Sequence, residues 1–258
     1  MNMAIDYRAM FPCKVREAIS DTELLRMEKA KNRANMVLEL MRNDPNINQT
    51  QPESEWTFKV IVRGANGDEE REMRIADMLL ESAPLQELCV HCKQCPFNLL
   101  SNDFGCGGAI HYPITAKAEN WLLSRLPTDL SSPAGELLVR AIKDFNYDGA
   151  FIDSLRNRKE VYELATAPER KWGSFFSKKT RITSSQILHM TFAVGDLGAA
   201  HAKMVAYFLG FLNDELEIVT TPKTVPQPDD DNGIVELKYF YSLAALAGVN
   251  NVSIFVDS

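Results

Sequence analysis

Trp56-Thr57-Phe58-Lys59-Val60-Ile61-Val62-Arg63 is the stretch on which the fold class turns. Trp56, Phe58, Val60 and Val62 alternate with Thr57, Lys59, Ile61 and Arg63, so an extended chain carries one set on each face and reads as a half-buried strand. Asn66-Gly67 follows. That pair accepts the positive φ angles of a two-residue turn, and Glu70 to Ile75 is expected to return as the partner strand. Most signals outside this hairpin are helical. The expected class is α+β: a small β-hairpin region, a Cys-rich metal loop and a predominantly helical second half.

Upstream, Ser20 with Glu23 forms a capping box, and Leu24, Leu25, Met27, Met36, Val37, Leu40 and Met41 recur at helical spacing. A helix from about Asp21 to Met41 is predicted. Asp44 to Glu55 is polar, holds Pro45 and Pro52, and reads as a linker. A short helix through Ala76 to Glu81 leads into the cysteines. Beyond them, Ala109 to Ile114 reads as a strand, and Thr115 caps a helix that must stop near Pro127. Ser132-Pro133 opens a helix to about Phe145. Thr183 with Gln186 is a second capping box, opening a helix through Ile187, Leu188 and Met190. After Gly195 and Gly198 comes a more apolar helix, Ala199 to Leu212. Thr220 to Gly233 reads as an exposed loop; a last helix ends at Gly248, and Val252 to Val256 as a strand. The organisation expected is an N-terminal α+β region, 1–148, holding the metal loop 89–106, and a mainly helical region, 149–258. The divide falls around Asn146 to Gly149, with a single domain as the alternative.

The 258 residues are 45% hydrophobic and 24% charged, as in an ordinary globular protein, so the chain needs no metal or disulfide merely to fold. The net charge of −7, from 28 Lys and Arg against 35 Asp and Glu, argues against a general nucleic-acid coat or a membrane-surface binder. Met1 to Arg8 has no apolar core of a secretory signal, and the longest apolar run, Met204 to Leu212, is too short for a bilayer. A soluble, cytoplasmic protein without a membrane partner is expected.

Four of the five cysteines fall within residues 89–106, in Cys89-Val90-His91-Cys92-Lys93-Gln94-Cys95-Pro96 and Cys106-Gly107-Gly108. In a reducing compartment this is the pattern of thiolate metal ligands rather than of disulfides. Two residues between cysteines let a tight turn present both sulfurs to one ion. Gly105, Gly107 and Gly108 allow the unusual dihedrals of such a turn. Cys89, Cys92, Cys95 and Cys106 would close a tetrahedral Zn2+ site. Three cysteines at successive two-residue gaps followed by Pro96 also resemble the run of bacterial ferredoxins, which implies a 4Fe–4S cluster as the alternative cofactor. The glycines around Cys106 are instead similar to a zinc knuckle. A mixed set, Cys92, Cys95 and Cys106 with His91 or His111, leaves Cys89 spare. Cys13 reads as a small buried residue.

No reaction is named by these residues. Walker, dinucleotide and Gly-x-Ser-x-Gly patterns are missing from the sequence, as are the His-Glu-x-x-His and zinc-deaminase signatures. Glu87 and Asp103 flank the loop but read as solvated. His189 and His201 fall on apolar helices, where a core role outweighs a catalytic one. Residues 156–181 hold eight basic side chains against three acidic ones. Within them Arg170, Lys171, Trp172, Lys178, Lys179 and Arg181 are candidates for contact with an anionic partner, a nucleotide or nucleic acid. Asp229, Asp230 and Asp231 read as a solvated acidic loop. The function expected is that of a metal-stabilised interaction or regulatory protein with a structural zinc and a protein partner. An iron–sulfur redox protein or enzyme on the same cysteines and a zinc-dependent hydrolase are the alternatives.

Overall fold

The computed structural model describes residues 4–45, 47–48, 50–64, 67–173 and 179–257. In chain order the elements are β1 (Ala4–Ala9), α1 (Lys14–Ala18), α2 (Asp21–Arg42), β2 (Thr57–Gly64), β3 (Gly67–Arg74), α3 (Ile75–Ser82) and α4 (Pro84–Leu88). They continue with β4 (Gly107–His111), α5 (Ala116–Ser124), α6 (Pro133–Asp144), α7 (Ala150–Leu155), β5 (Glu169–Trp172) and β6 (Thr180–Thr183). The last are α8 (Ser184–Phe192), α9 (Ala199–Phe208), α10 (Asn232–Val249) and β7 (Ile254–Asp257). The protein is thus of mixed α and β structure with small antiparallel sheets. No described helix is long and apolar enough to cross a membrane.

The chain falls into two compact units, one of Met1–Phe11 with Cys95–Ser258 and one of Pro12–Gln94. The expected divide at Asn146 to Gly149 lies inside the first of these. There Asn146 (φ 53°) and Gly149 (φ 80°) take left-handed backbone, and Tyr147 is buried between α6 and α7. Gln186 Nε2 donates to the Tyr147 carbonyl at 3.1 Å. The stretch is a tight turn within the unit rather than a boundary between units.

In the larger unit the sheet has the order β4-β1-β7, antiparallel throughout. All six residues of β1 are buried, Asp6 and Arg8 among them. Ile5, Tyr7 and Ala9 enter the main core, where the Tyr7 ring meets Phe240 of α10 edge-on at 4.9 Å. Gly108 lies opposite Tyr7, and a Cβ there would come within 2.6 Å of the tyrosine hydroxyl. The helices start where their caps predict. Thr115, Ser132 and Asp231 each accept a backbone N–H of the first turn, and Thr183 with Gln186 closes a capping box. Buried Ala244, Ala245, Ala247 and Gly248 let α10 pack closely on α9: a Cβ on Gly248 would lie 2.7 Å from the Lys203 backbone.

In the smaller unit the Ser20–Glu23 capping box opens α2 as expected. β2 and β3 pair in register from Thr57↔Arg74 to Gly64↔Gly67. Asn66 of the expected turn lies outside the described residues. Leu38 and Met41 of α2, Trp56 and Ile75 form a buried cluster with Phe58 packed against it.

Candidate metal centre

α4 runs directly into a single 3-10 turn, Cys89–Cys92. Cys92 is buried there; Cys89 is half-buried and its Sγ donates to the Gln86 carbonyl at 3.2 Å. His91 on the same turn is exposed. Both cysteines belong to the smaller unit.

Cys95 and Cys106 belong to the larger unit, where both are half-buried against its core. The loop between them is held by its own backbone: Asn98 N donates to the Cys95 carbonyl at 3.0 Å and Gly105 N to the Asn102 carbonyl at 3.3 Å. Ser101 and Phe104 take positive φ angles of 53° and 59°. A Cβ on Gly105 would meet the side-chain oxygens of Asn98 and Asn102, so a larger residue before Cys106 would require those amides to move. Cys106 then leads into β4, and its carbonyl accepts from Ala9 N at 2.9 Å.

A buried guanidinium reaches this cysteine. Arg8, 5% exposed on β1, donates from Nη1 to the Phe104 carbonyl at 3.2 Å and to Cys106 Sγ at 3.6 Å. Arg8 pairs with Gly107 across the sheet, and a Cβ on Gly107 would sit 3.3 Å from the Arg8 guanidinium carbon. The closer conflict is with the backbone: the same Cβ would lie 2.5 Å from the Tyr7 carbonyl oxygen, so the strand pairing itself favours glycine at 107.

None of the five cysteines is in a disulfide, and four thiolates are a donor set suited to Zn2+ or an iron–sulfur cluster. Among the described residues, no three His, Cys, Asp or Glu side chains are already gathered as a bound metal would require. The reserve ligand His111 is 67% exposed and engaged elsewhere. Its Nδ1 is 2.7 Å from Glu236 Oε1, and its backbone N–H donates to Glu236 Oε2 at 2.8 Å. Glu87 and Asp103 are exposed.

The basic segment divides into parts with different work. Arg170 Nη1 donates to the carbonyls of Leu123 (3.1 Å) and Leu126 (2.6 Å) at the C-terminal end of α5. The Trp172 ring lies under its guanidinium at 4.9 Å, and Trp172 Nε1 donates to the Pro127 carbonyl. These two candidates for anion contact are thus occupied with a helix terminus, where a cation is favoured. On the opposite face of the hairpin, exposed Lys171 and Arg181 share the carboxylate of Glu169 at 2.5 and 3.3 Å. Lys179 is also exposed; Lys178 lies outside the described residues. In the acidic loop, Asp230 accepts from buried Lys238 at 2.6 Å and Asp231 caps α10.

Two further polar clusters lie apart from the cysteines. Arg156, 2% exposed, meets fully buried Glu119 with both arms of its guanidinium, at 3.0 and 2.5 Å. Its remaining donors go to Ser184, Ser185, Asp153 and the Leu164 carbonyl. Burial alone would lower the pKa of Arg156, but the hydrogen bonds and charge of Glu119 hold it above its ordinary value. The second cluster surrounds Tyr147, whose ring has His189 at 5.6 Å and His201 at 5.9 Å. Gly149 N donates to His189 Nδ1 at 3.3 Å, which makes that nitrogen the acceptor. Burial lowers the pKa of His201, against a hydrogen bond with the Met190 backbone, and its buried Nε2 has no hydrogen-bond partner among the described residues. Residues far apart in sequence meet in both clusters, and no local pattern announces them.

Comparison with protein-family models, with curated proteins and with solved structures gave no match.

Proposed function

We propose that this chain is a metal-stabilised interaction or regulatory protein in which Cys89, Cys92, Cys95 and Cys106 hold one structural zinc ion. The observation that carries the reading is the Arg8–Cys106 contact, where a buried cation donates to the sulfur of a cysteine that belongs to a four-cysteine ligand pattern. The spacing of the four, none of which is in a disulfide, supports it as well. A metal loop of this kind need not be preformed, because ligand gathering and metal binding are coupled. Bound zinc would supply a fixed tetrahedral cross-link and no chemistry of its own. The partner proposed is a protein, with exposed Leu80 and Val90, on the stretch leading into and through the first two cysteines, as apolar side chains for it to cover. A nucleotide or nucleic-acid partner has less support, since Arg170 and Trp172 are committed to α5.

A 4Fe–4S cluster is the second reading, favoured by three ligands in one short run with Pro96 behind them. One preparation decides. Aerobically purified protein is expected to be colourless with one zinc per chain. Brown absorbance near ~400 nm with several irons per chain replaces zinc by the cluster. Protein that holds neither metal, and takes up neither after reduction, removes both readings.

A further inference from the structure

We propose that the turn between α6 and α7 is a proton-operated latch, closed on α8 while His189 is neutral and released when the imidazole takes up a proton. Its parts all lie within the larger unit, and it is independent of the metal reading. Two bonds seat the turn on α8. Gln186 Nε2 donates to the Tyr147 carbonyl at 3.1 Å, and Gly149 N donates to His189 Nδ1 at 3.3 Å. Gly149, at φ 80°, lets the backbone come this close: a Cβ there would lie 3.0 Å from Gln186 N and from Ser185 Cβ. The amide bond is indifferent to pH. The bond to Nδ1 needs a lone pair, so the neutral ring carries its proton on Nε2. Protonation turns Nδ1 into a donor and sets it against the Gly149 N–H. A new acceptor is at hand. Asp148 Oδ1 lies 3.6 Å from Nδ1, too far for a hydrogen bond, and accepts from Ala150 N at 2.9 Å at the start of α7. A proton on His189 therefore exchanges a backbone contact for a carboxylate one, and two discrete arrangements biased by one charge make a switch.

His201 works in the same direction. Its ring lies 5.9 Å from that of Tyr147, and a proton on its buried Nε2 would find no acceptor among the described residues. The imidazolium is therefore tolerated only once the Tyr147 ring has moved and water can enter. Few other charges face the pair. Among its described residues α8 holds no further ionisable side chain, Asp153 of α7 is engaged with Ser185 and Arg156, and Lys203 of α9 lies against Gly248. Lys143 and Asp144 at the end of α6 are exposed. Release changes the surface: Phe145, 63% exposed, stacks on buried Tyr147 at 5.7 Å, so the two rings leave together as one aromatic patch.

Hydrogen exchange of the full chain between about pH 7.5 and 5.5, where imidazoles change charge, tests the latch once rates are corrected for the intrinsic pH dependence of exchange. In wild type, exchange within residues 145–150 should rise as pH falls, by up to about tenfold per pH unit for each proton the opening takes up, while α9 and α10 keep their protection. His189→Asn sets a carbonyl oxygen near the place of Nδ1; it accepts from Gly149 N and takes up no proton. Only the share due to His201 should remain in it, and His189→Asn combined with His201→Gln should not respond to pH at all. Wild-type exchange at 145–150 that ignores pH overturns the proposal. So does a response of wild-type size in either variant, or one that spreads through α9 and α10, which would be general acid unfolding. Should the variants fail to fold, the wild-type NMR spectrum decides: the Gly149 amide and His189 Cε1–H resonances should titrate with one midpoint, and separate midpoints overturn the latch.

Discussion

The Arg156–Glu119 pair is the most consequential contact at the residue scale. Replacing both charges by apolar groups is often neutral, but removing one leaves the other buried and uncompensated, at a cost of about 3–5 kcal/mol. Glu119→Leu should therefore shift the guanidinium denaturation midpoint strongly downward. Glu119→Leu combined with Arg156→Met should recover most of the loss. A double variant as unstable as the single one would mean that the pair is not the source of the cost. His201 makes a second prediction, of sign rather than size. Its folded pKa lies below the ordinary value because burial disfavours the imidazolium. The unfolded chain thus binds the proton first, near pH ~6.5, and stability present above that point is lost as pH falls toward the folded pKa. Thermal melts between about pH 7.5 and 5.5 should show a steeper acid-side decline for wild type than for His201→Gln. Parallel curves would show that His201 contributes nothing to the decline.

Among the elements, α9 and α10 pack closely at Gly248. Gly248→Ala gains up to ~1 kcal/mol of helix propensity, but its Cβ would meet the N, Cα and Cβ of Lys203 at 2.7 Å. Backbone cannot step aside as a side-chain end can, so overpacking of about 1–3 kcal/mol should win and Tm should fall. Gly198→Ala, with φ −61° and nothing within 4 Å, is the control and should stay within about 0.5 kcal/mol of wild type. If the two variants melt alike, the helices are not packed this closely. The elements also show what the sequence makes legible. Caps and turns are local chemistry, so Ser20, Thr115, Ser132 and Thr183 mark helix starts that the structure confirms. β2 alternates cleanly and is equally plain. β1 is not, because its side chains are buried on both faces and Asp6 and Arg8 break the apolar run. β5 and β6 hide in a basic stretch whose arginine and tryptophan turn inward to a helix end. The four cysteines stand out by spacing alone, but Arg8 lies 98 residues from Cys106 and only strand pairing brings it there.

For the whole molecule, the proposed metal makes one claim that can be measured, namely how far its influence would extend. The larger unit has an extensive core in which Leu188, Val205, Phe240, Tyr241 and Ile254 are all but inaccessible. A core of that kind stands without a metal, so the cysteine loop should open locally, at lower free energy than the helices around it. Hydrogen exchange of the zinc-loaded protein should find the slowest amides in α8, α9 and α10. Zinc removal by a chelator should then accelerate exchange within residues 84–108 while those helices keep their protection. The magnitude of the local change reflects the coupling between metal and loop, since ligands that must gather to bind an ion lose that order when it leaves. Exchange that rises throughout α8 to α10 would make the metal a requirement of the whole fold. Exchange that rises nowhere would mean that no ion orders the loop, and the four cysteines would be thiols of the surface and core alone.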